Sequence, residues 1–231
     1  MTFNDGDFLK IEYDAWRSAD NALVYTTDEK KAKENDLYNK EVKYGPQLAI
    51  VGKRNVIEGL DKVLKGMAIN ESKKVVLEPS EAFGERDPQL MQVMSINEFR
   101  KRDIVPYPGM QVDLDGTTAV VKSVNSGRVL VDANHPLAGE KLTYEVKVVA
   151  KIDAENEKVK ALSEYYNLVP EKVEINGANV TVEYGSNVNK DANYFVSKSR
   201  FVASAFTYLD KVAKVYIKEE YDKPSGKSTT A

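Results

Sequence analysis

The chain has 231 residues, 42% of them hydrophobic and 30% charged, with 33 basic side chains against 36 acidic ones. That length allows one large domain or two to three small ones, and the near balance of charge gives no electrostatic case for nucleic acid or an anionic membrane as partner. With no cysteine and a single histidine, His135, disulfides and thiol nucleophiles are excluded and too few ligands remain for a transition-metal site.

The opening residues show no basic stretch leading into a long apolar run. Nowhere do eighteen apolar residues follow one another, so a cytoplasmic protein without a membrane span is expected. Residues 8–16, FLKIEYDAW, place Leu9, Ile11, Tyr13 and Ala15 on one face and predict a half-buried strand. After the turn SADN, ALVYTT is a second strand. The charged stretch 28–40 reads as a solvated loop or a short helix. QLAIVG (47–52) is the next strand. In RNVIEGLDKVLKG, residues Val56, Ile57, Leu60, Val63 and Leu64 recur at helical spacing, and Gly66 is placed to end that helix. SKKVVLEPSEAFG predicts a strand broken at Pro79.

From 85 to 128 a small β-rich module is expected. QLMQVM is a strand, SINEF carries Ser95 and Glu98 at capping-box spacing, and QVDL and TTAVVKSV flank Asp115-Gly116 as a hairpin. VLVDA reads as a return to the main sheet, followed by the strand KLTYEVKVVAKI. Beyond residue 152 the order is α-β-β-α-β. A helix, ENEKVKALSEYYNL, precedes a hairpin around Asn176-Gly177. A second helix follows, with Phe195, Val202, Ala205, Phe206 and Leu209 on one face, and AKVYIKEEY is the last strand.

Three segments, taken together and in order, resemble one family. GPQLAIVGKRNVIEGLDKVLKGM, VVLEPSEAFG, and NHPLAG followed by LTYEV, all behind the strand IEYDAW, are similar to the FKBP-type peptidyl-prolyl isomerases. The resemblance covers roughly residues 5–84 and 129–152. Where compact members close a short flap, residues 85–128 stand instead, as in SlyD-like and long archaeal members whose inserted domain binds unfolded chains. The implied fold is α+β: an FKBP-type antiparallel sheet wrapped on a short helix (1–84 and 129–152). It carries a small β-rich inserted flap domain (85–128) and a C-terminal α-β-β-α-β domain (153–231). Through the last of these a homodimer is expected, since its apolar helix offers more surface than three strands readily cover.

The resemblance assigns a catalytic cleft to Tyr13, Val56, Ile57, Leu60, Phe83 and Tyr144, with the backbone N–H of Ile57 donating to a substrate carbonyl. Leu60 takes the place of an aromatic floor residue, Phe83 that of a tyrosine, and Tyr144 that of a phenylalanine. Any one of Val56, Ile57, Leu60, Phe83 and Tyr144, taken alone, reads first as core; the set, at these matching places, favours the cleft. Substrate contacts are expected at Tyr25, Leu48, His135 and Leu137. Tyr25 stands where the family carries an aspartate, and Leu48 replaces a large apolar residue that strict spacing assigns to Gln47. His135 is expected to make local hydrogen bonds at the mouth of the cleft, without proton transfer. In the insert, Leu90, Met91, Met94, Ile96, Phe99 and Met110 are expected to form a chaperone surface, the thioethers adapting to varied apolar segments. Gap-filling in a small core is the other reading of the methionines.

The implied function is isomerisation of X–Pro bonds, without cofactor or metal, in proline-containing unfolded or partly folded polypeptides that the insert holds. The alternative, which Tyr25 and Phe83 favour, is a non-catalytic holdase or scaffold that keeps the FKBP shell for binding only.

Overall fold

The computed structural model describes residues 2–114, 116–186 and 188–222; Asp115, at the tip of the expected hairpin, lies outside them. The chain divides into two compact units. The first takes in the residues up to Ala15, Leu23–Lys74 and everything from Glu145 on; the second takes in Trp16–Ala22 and Val75–Tyr144. A five-stranded sheet has the order β2 (Ala22–Thr26), β1 (Phe8–Arg17), β9 (Leu142–Ile152), β4 (Ser72–Leu77), with β3 (Gln47–Ile50) also paired to β1. Strands β1, β2, β4 and β9 each have residues in both units.

In the first unit, β1 departs from the expected half-buried strand. Leu9, Ile11 and Ala15 are buried, but so is Phe8, whose side chain projects from the opposite face. Phe8, with Leu48 and Ile50 of β3, belongs to one apolar cluster with Val159, Leu162, Val180, Val182, Tyr184, Phe201, Ala205 and Leu209. Elements beyond residue 152 therefore cover this face of the strand, a burial that alternation within nine residues cannot reveal. The charged stretch after β2 forms a short helix, α1 (Glu29–Glu34). Asp28 caps it, Oδ1 accepting from the N–H groups of Lys30 at 2.8 Å and Lys31 at 3.1 Å.

The C-terminal elements are α4 (Glu155–Tyr165), β10 (Lys172–Asn176), β11 (Asn179–Tyr184), α5 (Ala192–Tyr208) and β12 (Lys214–Glu219). Their strands lie in the order β10-β11-β12, with β12 parallel to β11. Val180, Val182 and Tyr184 alternate along β11, so the cluster they share with α4 and α5 lies on one face of this sheet. Ala205 and the C-cap Leu209 are buried as expected, but Tyr194 and Phe201 complete the buried stripe, and Phe195 and Phe206 remain 47% and 49% exposed. Hydrogen bonding decides the rotation. The Tyr194 hydroxyl donates to Glu219 Oε1 at 2.6 Å, the Lys198 ammonium lies at 2.5 Å from the same oxygen, and Tyr221 donates to Oε2 at 2.7 Å. Burial alone would raise the Glu219 carboxyl, but these donors hold it down at about 2. A phenylalanine at the inward position would leave that carboxylate short of a partner.

The second unit contains a four-stranded sheet of order β5 (Met91–Ser95), β8 (Arg128–Asp132), β7 (Thr117–Asn125), β6 (Gln111–Leu114). The expectation that VLVDA rejoins the main sheet is corrected. As β8 it pairs with β5 on one side, Val129 opposite Met94, and with β7 on the other, Val131 opposite Val121. Val129 and Val131 project to one face and are buried with Phe99, Val112, Ala119 and Val121, so the small sheet needs β8 to close its own core. Ser95 caps α3 (Ile96–Arg100), Oγ accepting from the Asn97 N–H at 3.3 Å. Among the described residues no helix is long and apolar enough to cross a membrane.

Candidate functional site

In the first unit the turn from β3 into α2 (Glu58–Lys65) is fixed by two polar side chains. Asn55 Oδ1 accepts from the Ile50 N–H at 2.7 Å, while its Nδ2 donates to the Leu48 carbonyl at 2.9 Å. Asp61, buried on α2, accepts from the Gly52 N–H at 2.8 Å. Gly52 has φ +73°, and a Cβ there would lie 2.6 Å from the Asp5 carboxylate, so the V-G-K turn requires glycine. The hydroxyl of Tyr165, on α4, reaches the Asn55 carbonyl at 3.4 Å.

Val56 and Ile57, half-buried, sit on this pinned turn. Ile57 is the N-cap residue of α2 in extended conformation, its carbonyl accepting from Asp61 N–H at 3.0 Å. The Ile57 N–H, ahead of the first turn, has no partner within the helix's own ladder. Leu60 is fully buried. It supports the turn from below.

Tyr13 and Tyr25 are brought together, their rings stacked with centroids 5.1 Å apart and planes at 11°. Tyr13 N–H donates to Thr27 Oγ1, and Thr27 N–H donates to the Tyr13 carbonyl, both at 3.0 Å. Asp14, next to Tyr13 in sequence, is buried and engaged by the Thr26 hydroxyl and the Lys31 ammonium. Leu48 is buried in the cluster that α4 and α5 cover, so it supports that core.

In the second unit the rings of Phe83 and His135 stack with centroids 4.2 Å apart and planes at 2°. His135 is exposed. Its Nδ1 accepts from the Leu137 N–H at 3.2 Å and its carbonyl from the Ala138 N–H at 2.9 Å. Gly139, at φ +76°, donates its N–H to the Gly84 carbonyl at 2.8 Å, tying the N-H-P-L-A-G turn to A-F-G. Leu137 is half-buried and Tyr144, on β9, is buried.

Both chain crossings at the base of the small sheet are joined by polar contacts that sequence reasoning missed. Arg86 pairs with the buried Asp132 at 2.9 Å. Asn134 accepts from Asp87 N–H at 2.8 Å, returns a bond to the Asp87 carbonyl at 2.9 Å, and donates to Asp132 Oδ1 at 2.7 Å. Burial pushes the Asp132 carboxyl up, but the Asn134 bonds and the Arg86 charge outweigh it and leave it below its ordinary value. The available signal was D-x-N at the end of β8, opposite R-D in the outgoing segment.

The expected chaperone residues divide. Phe99 is core of the small sheet, and Met94, Ile96 and Met110 pack partly buried against it. Met91 is half-buried and Leu90 exposed. Sequence reasoning missed the three most exposed apolar side chains here: Val93 at 64%, Val105 at 83% and Tyr107 at 60%. Val105 and Tyr107 belong to V-P-Y-P, whose prolines bar the segment from pairing in a sheet.

Comparison with known proteins accords with this division. The family model described as FKBP26, IF domain, matches residues 92–137, a span that runs from the second residue of β5 past the end of β8. The chain is 35% identical over 152 residues to a short-type peptidyl-prolyl cis-trans isomerase of Methanocaldococcus jannaschii, covering 66% of this chain and 96% of that one. It is 31% identical over 108 residues to the FKBP-type 16 kDa peptidyl-prolyl cis-trans isomerase of Escherichia coli, covering 45% of this chain and 72% of that one. Against the FKBP-type isomerase SlyD of Helicobacter pylori the identity is 27% over 130 residues, covering 55% and 70%. The chain therefore belongs to the FKBP-type peptidyl-prolyl cis-trans isomerases, a family of enzymes, and shares their fold.

Proposed function

We propose that this chain catalyses cis–trans isomerisation of X–Pro bonds in unfolded or partly folded polypeptides, and that the four-stranded insert holds those polypeptides for it. The observation that carries the reading is the pinned turn at Val56 and Ile57 over the buried Leu60, at the place where the resemblance puts the isomerase cleft. Tyr13, Val56, Ile57 and Leu60 are the cleft residues proposed on the geometry of the first unit; Phe83 and Tyr144 are assigned to a cleft by the resemblance alone.

The chemistry needs no acid or base. Rotation about a peptide bond costs about 18–20 kcal/mol because planarity carries the double-bond character. The planar amide, with charge separated between oxygen and nitrogen, is better solvated by water than the twisted one. Apolar side chains that displace this water lower the barrier, and each tenfold in rate requires only about 1.4 kcal/mol. A turn held rigid before substrate arrives binds the twisted geometry without reorganising.

Exposed Leu90, Val93, Val105 and Tyr107 support the holding role, since apolar side chains left in water on so small a sheet suit transient capture of apolar segments. Phe195, Val202 and Phe206, spaced along one side of α5 and all at least partly exposed, support pairing of two chains.

A second reading, a non-catalytic holdase, is favoured by the Tyr13–Tyr25 stack, which offers no carboxylate to polarise a substrate. One assay separates them. Catalytic amounts of the full chain should accelerate a proline-limited refolding reaction and the isomerisation of short proline peptides. Binding of the unfolded chain at stoichiometric amounts, with neither rate changed, would leave the holdase.

A further inference from the structure

We propose that Tyr165, at the end of α4, is a positioning residue for the isomerisation: its hydroxyl holds the turn at Val56 and Ile57 through the Asn55 carbonyl. The inference rests on the isomerase reading above. Asn55 fastens the turn to β3 with its side chain, which leaves its carbonyl for another partner. Among the described residues the Tyr165 hydroxyl is the donor that reaches this oxygen, at 3.4 Å. Burial, with Tyr166 and Tyr208 nearby, pushes the hydroxyl pKa up, so at neutral pH the group keeps its proton. The Asn55 carbonyl and the Val56 N–H share one rigid peptide plane. A donor on the oxygen therefore sets the direction in which the chain enters Val56 and Ile57.

Tyr165 is itself held, because residues 163 to 166 are tied one by one to other parts of the chain. The buried Ser163 hydroxyl donates to the Leu168 carbonyl and meets the Tyr184 hydroxyl of β11, both at 2.7 Å. Glu164 pairs with Lys43, ahead of β3, at 3.4 Å. The Tyr166 hydroxyl meets Ser204 Oγ of α5 at 2.6 Å, and its ring stands edge-on to Tyr165 with centroids 5.1 Å apart. The C-terminal elements thus supply one of the anchors of the cleft turn. Planar substrate tolerates a turn that shifts, whereas selective fit to the twisted amide needs the turn in one place. Loss of the anchor therefore lowers kcat more than it changes KM.

The test uses the full chain and a short proline peptide. Tyr165→Phe keeps the ring and removes the hydroxyl. The kcat should fall about two- to fivefold, the lower part of the range for one neutral hydrogen bond, with KM within about twofold. Glu164→Gln breaks the neighbouring tie to Lys43 without touching the turn, and should leave kcat unchanged. Nitrogen-15 relaxation reads the turn without turnover. In Tyr165→Phe the Val56 and Ile57 amides should become more mobile, while those of Val180 and Val182 in the C-terminal core should not. An unchanged kcat in folded Tyr165→Phe overturns the proposal, as does a loss confined to KM or an equal loss in Glu164→Gln. A turn as rigid without the hydroxyl as with it also overturns it. If the unaltered chain turns over no peptide, the isomerase reading fails, whereas relaxation alone decides whether Tyr165 holds the turn.

Discussion

Arg86 lies 2.9 Å from the buried carboxylate of Asp132, so an ion pair joins the segment leaving for β5 to the end of β8. Asn134 braces the same carboxylate through its backbone N–H at 3.0 Å and its amide at 2.7 Å. Removing the carboxylate leaves these donors aimed at nothing.

Asp132→Ala should therefore destabilise the second unit by about 1–3 kcal/mol, less than a fully buried pair would cost because Arg86 keeps part of its surface in water. The pH dependence has a definite sign. The folded pKa of Asp132 is depressed, so its contribution is present above the ordinary carboxylate range and lost as pH falls below 3.8 through the folded value. Urea melts of both proteins should differ at neutral pH and converge in strong acid. A difference that persists at the lowest pH would assign the loss to packing.

Excising the insert should separate its two roles, and β8 must leave with it. Removing residues 88–133 and joining Asp87 to Asn134 through a short glycine linker is feasible because those two residues are hydrogen-bonded. Turnover of short peptides should persist, while acceleration of protein refolding should fall at least about tenfold, since a chain held by the insert meets the cleft at raised effective concentration. Equal losses on both substrates would mean that the insert helps build the peptide site.

Isomerisation without proton transfer should be flat in pH. The kcat for a proline peptide should vary by less than about twofold between pH 6 and 8, as no titrating group takes part in the rotation. A tenfold change per pH unit, or a hundredfold loss of kcat in folded His135→Ala, would rule out desolvation as the mechanism.

The proposed pairing through α5 is best tested in the full chain. A chain ending near Ile152 would bare Phe8, Leu48 and Ile50, which α4 and α5 cover. Phe195→Asp with Phe206→Asp changes only side chains that are half in water already, and should convert a dimer into a folded monomer by light scattering at tens of micromolar. A monomer before substitution would end the dimer proposal.

Local pattern was enough wherever a residue's neighbours in sequence are also its neighbours in space. Leu60, Val63 and Leu64 recur at helical spacing and lie in α2, though Val56 and Ile57, read as part of the same pattern, precede its first turn; Asn176-Gly177 carries its own turn geometry. Asp28 and Ser95 cap helices within three residues of themselves. What escaped the sequence was what distant segments bury. Phe8 and Leu48 look like residues of a half-open sheet, and only packing against Leu162, Val182 and Phe201 closes them. The stripe of α5 takes in Tyr194 and Phe201 in place of Phe195 and Val202 because Tyr194 and Lys198 find Glu219, which lies 21 to 25 positions away. VLVDA has the same alternation whichever sheet it joins, and the partners Met94 and Val121, rather than its own residues, decide that it completes the insert. Periodicity reports which face of an element is apolar; which neighbour covers that face is a property of the folded chain alone.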